Sequence, residues 1–371
     1  MNERPIVGIT MGDPAGNGPE ITVKAFAHAD LYERCRPIVV GDAKMIRQAA
    51  GFVGADPEIH VCEKVSDALF VPGVIDVLHM DLIEDPETFE IGKVSVAGGD
   101  AAFQCVRKVI ALAMNGEVDA TVTNALNKEA LNEALAYYNG TRSDGYTHFD
   151  GHTEIYAAYT GTKKYSMMLA WHDFRVVHVS THVSLREACD RVKKDRVLEV
   201  IRIAHEACRD LGIEAPRVAV AGLNPHCGDN GLFGTEEIEE IAPAVAEARA
   251  EGIRAIGPIP PDSVFSEALG GLYDIVVCMY HDQGHIPIKT MGFVYDRELQ
   301  EWKAVEGVNV TLGLPIIRTS VDHGTGFALA GTGKSNELSL VNAIDYAVMM
   351  VHGRKSVRKQ PQMTDKNLKK S

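Results

Sequence analysis

Short runs of β-branched and apolar residues alternate with longer stretches of helical period through most of the chain. The runs at 5–10 (PIVGIT), 37–42 (PIVVGD), 118–124 (VDATVTN), 166–171 (SMMLAW), 174–182 (FRVVHVSTH), 217–226 (RVAVAGLNPH) and 274–284 (DIVVCMYHDQG) read as strands. Several are apolar throughout, the pattern of strands covered by helices on both faces. Between them, Ala102, Val106, Val109, Ile110 and Ala113 recur at helical spacing within 100–114. Residues 191–208 and 235–250 are helical with one charged face. The alternation predicts an α/β fold with a mostly parallel sheet between helical layers.

Composition narrows the class of protein. At roughly 150 residues per domain, a chain of 371 residues suggests two domains, or one large α/β unit with an inserted lobe. A net charge of −14 argues against a nucleic-acid partner, which needs a basic footprint, yet leaves room for a small anionic substrate held by a few local cations. No apolar run approaches the ~20 residues of a membrane span, and MNERPIVGIT lacks the apolar core of a secretory leader. The seven cysteines are odd in number, widely spaced and free of any C-x-x-C pair, which suits reduced thiols. The expectation is a soluble cytoplasmic protein with no membrane partner. Residues 354–371 are basic with almost nothing to bury and read as a disordered tail.

Open α/β sheets gather ligands beyond the carboxyl ends of their strands. The residues expected there are Asp13, Asn124 and Lys128, His182, Asn224 and His226, and His281 with Asp282. Three separate strands ending in histidine point to a divalent metal held by His182, His226 and His281, with positions left open for substrate. His178, also in the 174–182 run, reads as structural. His281 and His285 stand four apart like the two histidines of H-E-x-x-H, but no Glu follows His281 and Gly284 disfavours a helix, so a zinc-protease reading is rejected. GTGKS at 331–335 ends like a phosphate-binding loop, but alanine stands where its first glycine belongs, and GITMGDPAGNGPE contains no G-x-G-x-x-G. Lys289, Asn309 and Arg318, with His152 and Thr153 of GHTE, could hold a phosphate or carboxylate.

Taken as a set, MGDPAGNGPE (11–20), GHTE (151–154), STHVSLRE (180–187), GLNPHCGDNGLFGTEE (222–237), PPDSVF (260–265), MYHDQGHIPIK (279–289), GVNVTLGLP (307–315) and RTSVDHGT (318–325) resemble the 4-hydroxythreonine-4-phosphate dehydrogenase (PdxA) family. The resemblance spans about residues 5–352. It implies two interleaved α/β/α lobes like those of isocitrate and isopropylmalate dehydrogenases, a homodimer with shared active sites, and a cleft between lobes. It makes His182, His226 and His281 the ligands of a divalent metal (Zn, Mg, Mn or Co), with His281 serving the neighbouring subunit. It places His152, Thr153, Lys289, Asn309 and Arg318 on a phosphorylated small-molecule substrate, with Asp262 close by. Gly324, Thr325, Gly331 and Lys334 fall near an NAD pocket. The implied lobes are 1–140 plus 285–353 on the NAD side and 141–284 on the metal and dimer side.

Two features depart from the biosynthetic members. Asn127 precedes Lys128 where they carry a His-Lys pair, and with HDQGHIPIK this looks like the branch acting on D-threonate or D-erythronate 4-phosphate. Residues 137–150 and 294–306 also look longer than usual. The implied reaction is NAD-dependent oxidation at the C3 hydroxyl followed by decarboxylation to a three-carbon ketone phosphate. Lys289 would neutralise charge, and Lys128 or Asp262 would move protons. The alternatives are 4-hydroxythreonine-4-phosphate oxidation in pyridoxine 5′-phosphate synthesis, a metal-dependent hydrolase, and a catalytically silent binding protein.

Overall fold

The computed structural model describes residues 4–298 and 301–359. Its strands are β1 (Ile6–Thr10), β2 (Arg36–Gly41), β3 (Glu58–Cys62), β4 (Val74–His79), β5 (Ala120–Thr123), β6 (Ser166–Trp171), β7 (Phe174–His178), β8 (Val218–Ala221), β9 (Ala255–Ile259), β10 (Ile275–Cys278), β11 (Phe293–Asp296), β12 (Glu301–Val305), β13 (Val308–Leu312) and β14 (Arg318–Val321). The chain divides into two units. The first holds the chain up to Lys163 together with Ala304–Val308 and Leu314–Val348; the second holds Lys164–Lys303, Asn309–Gly313 and the chain from Met349. No helix among the described residues is long and apolar enough to cross a membrane.

In the first unit the strands lie in the order β3-β4-β2-β1-β5-β14 and every pair is parallel. The central strand β1 is nearly all apolar and covered, with Val7 and Ile9 at 0 % exposure, because helices pack over it. The helix Val96–Met114 lies against β1 and also meets the helix Lys128–Tyr137. Gly99 permits that approach, since a Cβ there would stand 2.0 Å from the carbonyl oxygen of Ala130. The helix carrying Lys128 is thereby fixed at the carboxyl end of β5. Ile155 and Tyr156 enter the same apolar cluster as Phe103, Val109 and Leu131. This is why the first unit runs to Lys163 and does not end at 140, as the motifs suggest.

In the second unit the order is β13-β6-β7-β10-β8-β9. β6 and β7 are antiparallel, joined through a turn at His172. From β7 onward the pairs β7/β10, β10/β8 and β8/β9 are parallel. Residues 285–303, expected with the first lobe, belong here because the helix His281–Gly292 packs on β6 and β7.

Several expected boundaries shift. The run 174–182 stays strand only to His178, 217–226 only to Ala221, and 274–284 only to Cys278. Gly284, read as a helix breaker, sits inside the helix His281–Gly292; it is there because a Cβ would meet His178 Nε2 at 2.5 Å. The longer segment 294–306 carries a separate two-stranded ribbon, β11–β12. The helix Leu338–Lys359 runs past 353 into the segment read as a tail, where Arg354 donates from Nε to Asp210 at 2.7 Å. The remainder of that tail, 360–371, lies outside the described residues.

Candidate functional site

The first unit brings together one group of the predicted residues. Beyond β5, Asn127 caps the helix Lys128–Tyr137, its side-chain oxygen accepting from Ala130 N at 2.9 Å, and Lys128 is exposed at the first turn. Gly151 opens the helix His152–Thr160 with no side-chain cap. Arg318 begins β14 and is 3 % exposed. Its Nε and Nη2 donate to Thr123 Oγ1 at 3.2 and 2.7 Å, and its guanidinium lies 5.6 Å from the centre of the Tyr156 ring. Burial lowers the Arg318 pKa to about 10, which still leaves it cationic at neutral pH.

His152 is held well below the ordinary histidine range, first by burial and then by the positive charge of Arg318 and Lys128. It is therefore a neutral ring, and its buried Nε2 has no partner. Glu154, on the same first turn as Thr153, is pushed up by burial. A buried guanidinium, an exposed ammonium and a neutral imidazole thus act on one another, with the Glu154 carboxyl beside them.

The loop after β1 contributes Asp13. Its Oδ1 accepts from Ala15 N at 2.9 Å, while Oδ2 is buried without a partner. Burial raises its pKa to about 6. A carboxyl raised in the folded state gives stability that is full below its unfolded pKa of about 4 and is lost as pH rises through about 6. Asp13→Asn removes that loss. Between about pH 4 and pH 7 the variant is expected to gain on the parent protein by about 2–3 kcal/mol in urea unfolding, and parallel curves would refute the assignment.

The same loop grips the segment predicted near NAD. Asn17 N donates to Thr325 O at 2.8 Å, and the buried Glu20 carboxylate accepts from Gly331 N and Gly333 N. Gly324 and Lys334 remain exposed. The near-miss phosphate loop thus has two amides already engaged by an internal carboxylate, a pairing that no motif spacing foretells.

In the second unit the histidines lie beyond β7, β8 and β10. His178 ends β7 with Nδ1 donating to Met167 O at 3.1 Å, leaving Nε2 bare. His182 lies past the strand's end, which falls at His178. His281 opens the helix His281–Gly292, and its Nδ1 lies 2.6 Å from Asp282 Oδ1. Its ring is 5.8 Å from that of His182 and stacks on His285 at 3.6 Å and 12°. His285 Nδ1 donates to His281 O at 2.9 Å, and burial strongly lowers its pKa. Lys289 continues the helix, its ammonium 4.9 Å over the Phe293 ring.

His226 stands in a left-handed stretch with φ of 51°, followed by Cys227 and Gly228, also at positive φ. Glu237 braces this loop, accepting from Leu223 N and Asn224 N at 2.7 Å. Gln283 links it to the His281 helix: its side chain accepts from Met279 N at 2.7 Å and donates to Gly222 O at 2.8 Å. Asp262 is exposed and close enough to Cys227 to act on its charge. Asn309 lies on β13. Sequence reasoning missed Glu20, Glu237 and Gln283, which fix loops through backbone hydrogen bonds. Among the described residues His182, His226 and His281 do not form one compact three-ligand group within the chain; the group that does is His60, Cys62 and Asp76.

Crystal structures of 4-hydroxythreonine-4-phosphate dehydrogenases are similar along the whole fold. The one from Klebsiella pneumoniae is 42% identical, with a TM-score of 0.79 over 94% of this chain and 99% of its own. The one from Burkholderia phymatum is also 42% identical, with a TM-score of 0.78 and the same coverage. A D-threonate 4-phosphate dehydrogenase from Pectobacterium atrosepticum is 44% identical over 346 residues, 93% of this chain and 99% of its own. The chain is an α/β oxidoreductase of the dehydrogenase class. It belongs to the family of the pyridoxal phosphate biosynthetic protein PdxA, whose sequence pattern matches residues 33–347, as the motifs implied.

Proposed function

We propose that the chain is a cytoplasmic, homodimeric, NAD- and divalent-metal-dependent dehydrogenase. It would oxidise and decarboxylate a 4-phosphorylated four-carbon hydroxy acid, D-threonate or D-erythronate 4-phosphate, to a three-carbon ketone phosphate. The observation that carries this reading is the 44% identity, over 93% of the chain, to a protein named for D-threonate 4-phosphate. Asn127 supports it: its side chain is committed to capping a helix rather than to offering an imidazole beside Lys128.

The donor set suits a metal. The carboxylate of Asp282 on His281 Nδ1 fixes the tautomer that leaves Nε2 bare, the usual arrangement of a metal-bound histidine. His182, His226 and His281 would hold the ion, His281 serving the neighbouring subunit. When bound, the ion supplies Lewis acidity at the substrate hydroxyl, and NAD supplies the hydride acceptor. Gly324, Thr325, Gly331 and Lys334 would receive the cofactor, the Gly331 amide being engaged by Glu20.

Arg318 and Lys289 neutralise the substrate's anionic ends, with Asn309, Thr153 and the first turn of the His152 helix completing the hydrogen bonds. His152, kept neutral by burial and by two nearby cations, can accept a proton or a hydrogen bond at Nε2. Lys128 or Asp262, both exposed, carries the hydroxyl proton away as hydride leaves C3. The resulting β-keto acid then loses CO₂.

The test is NAD reduction with each 4-phosphorylated four-carbon acid in the presence of metal. D-threonate or D-erythronate 4-phosphate is expected to exceed 4-hydroxythreonine 4-phosphate. Removing the phosphate is expected to cost at least roughly 30-fold in kcat/KM, from ~2–4 kcal/mol of lost charged hydrogen bonds. Preference for the amino acid would instead support the second reading, pyridoxine 5′-phosphate synthesis, to which the names of the solved structures point. For the shared site, mixing His182→Ala and His281→Ala chains should restore activity; verified subunit exchange without recovery would assign both histidines to one chain.

A further inference from the structure

We propose that His60, Cys62 and Asp76 form a second metal site, for Zn²⁺ or a similar borderline dication, on the edge of the first unit's sheet. β3 is the edge strand, and its period of two puts His60 and Cys62 on one face. The β3/β4 register sets His60 directly opposite Asp76. His60 Nδ1, Cys62 Sγ and a carboxylate oxygen of Asp76 all lie within 4.8 Å of one another. His60 Nδ1 is 2.7 Å from Asp76 Oδ1 and 3.5 Å from Cys62 Sγ.

The contacts exclude the obvious alternative, a thiol activated through a histidine–carboxylate relay. A relay needs both ring nitrogens, one for the thiol and one for the carboxylate, whereas here a single Nδ1 faces both. Burial also raises the Cys62 thiol to about 11, which makes it a poor nucleophile. Three different donor atoms aimed at one point are what a metal uses.

The chemistry of the set selects the ion. One thiolate and one carboxylate balance a double positive charge, and sulfur with imidazole nitrogen favours Zn²⁺ or Co²⁺ over Mg²⁺ or Ca²⁺. Asp76 is held in place before any ion arrives, because Leu69 N and Phe70 N donate to its two oxygens at 3.0 and 2.8 Å. Phe70 does so from a left-handed backbone with φ of 53°. Cys62 and Asp76 are buried while His60 is half-buried, so a fourth ligand, water, enters from the histidine side. Binding displaces the thiol proton, because the thiolate is the ligand.

The experiment is Co²⁺ titration of the metal-stripped full chain, read by the near-ultraviolet thiolate-to-cobalt absorption. One equivalent of absorbing cobalt is expected. Cys62→Ser and His60→Ala should each weaken it by more than about 100-fold, whereas Cys227→Ser, beside the proposed metal ligand His226, should leave it intact. His60 is half-buried, so its replacement keeps the fold if the cysteine variant does not. Zn²⁺ should raise the melting temperature of the parent chain more than that of His60→Ala. The proposal is overturned if saturating cobalt gives no thiolate absorption, or if that absorption survives Cys62→Ser. Because the readout is a sulfur ligand, its failure leaves the three-histidine reading standing, and failure of that reading leaves this one.

Discussion

His226→Ala is expected to abolish turnover and weaken binding of the proposed metal by more than about 100-fold, since loss of an outer partner alone costs 10–100-fold. The side chain is exposed and lies in a loop whose shape comes from Glu237 and the left-handed run at 226–228. Its removal therefore takes a donor without opening a core. Stripping metal from the parent protein with a chelator should give the same inactive state, reversed by adding a dication. Parent-level activity in metal-stripped His226→Ala would remove the metal from the reaction.

Arg318→Met should be nearly as damaging, by a route separable in kinetics. The substitution keeps an apolar stem against Tyr156 and deletes the charge, so the unfolding transition should stay cooperative. Losing one partner of a buried, hydrogen-bonded charge pair costs ~2–5 kcal/mol, or about 30- to 5,000-fold in kcat/KM. The loss should appear with the phosphorylated acid and shrink with an analogue lacking its anion. Arg318→Lys should recover little, because an ammonium cannot donate from Nε and Nη2 to Thr123 while facing an anion. An equal loss for charged and uncharged analogues would make Arg318 a structural residue.

Much of this was legible because buried parallel strands are written as apolar runs. SMMLAW marks β6 without error, and β1 and β2 differ from their runs by a residue. What escaped were elements whose character comes from partners. EIHVC interleaves Glu58 and His60 with its apolar residues, so it lacks a continuous apolar run, and it pairs with β4 as an edge strand. The helix His281–Gly292 contains both Gly284 and Pro287, and forms because a glycine is the residue that fits against His178. The histidines beyond β7, β8 and β10 could be found from strand ends alone. Their bracing could not, since Gln283 reaches Gly222 across 61 residues and Glu237 reaches Asn224 around a left-handed loop.

The grip of Glu20 on Gly331 and Gly333 spans 311 residues or more, and β5 and β14 pair across nearly two hundred. On a ribosome, the amino-terminal unit therefore cannot close its sheet until the chain is almost finished, although it is the first to emerge. The second unit is nearly continuous from Lys164 to Lys303 and can assemble while that sheet still waits for its last strand. In the interval the edge of β5 stands open, and the strand it awaits carries Arg318, so completion of the first unit and arrival of its buried cation are one event.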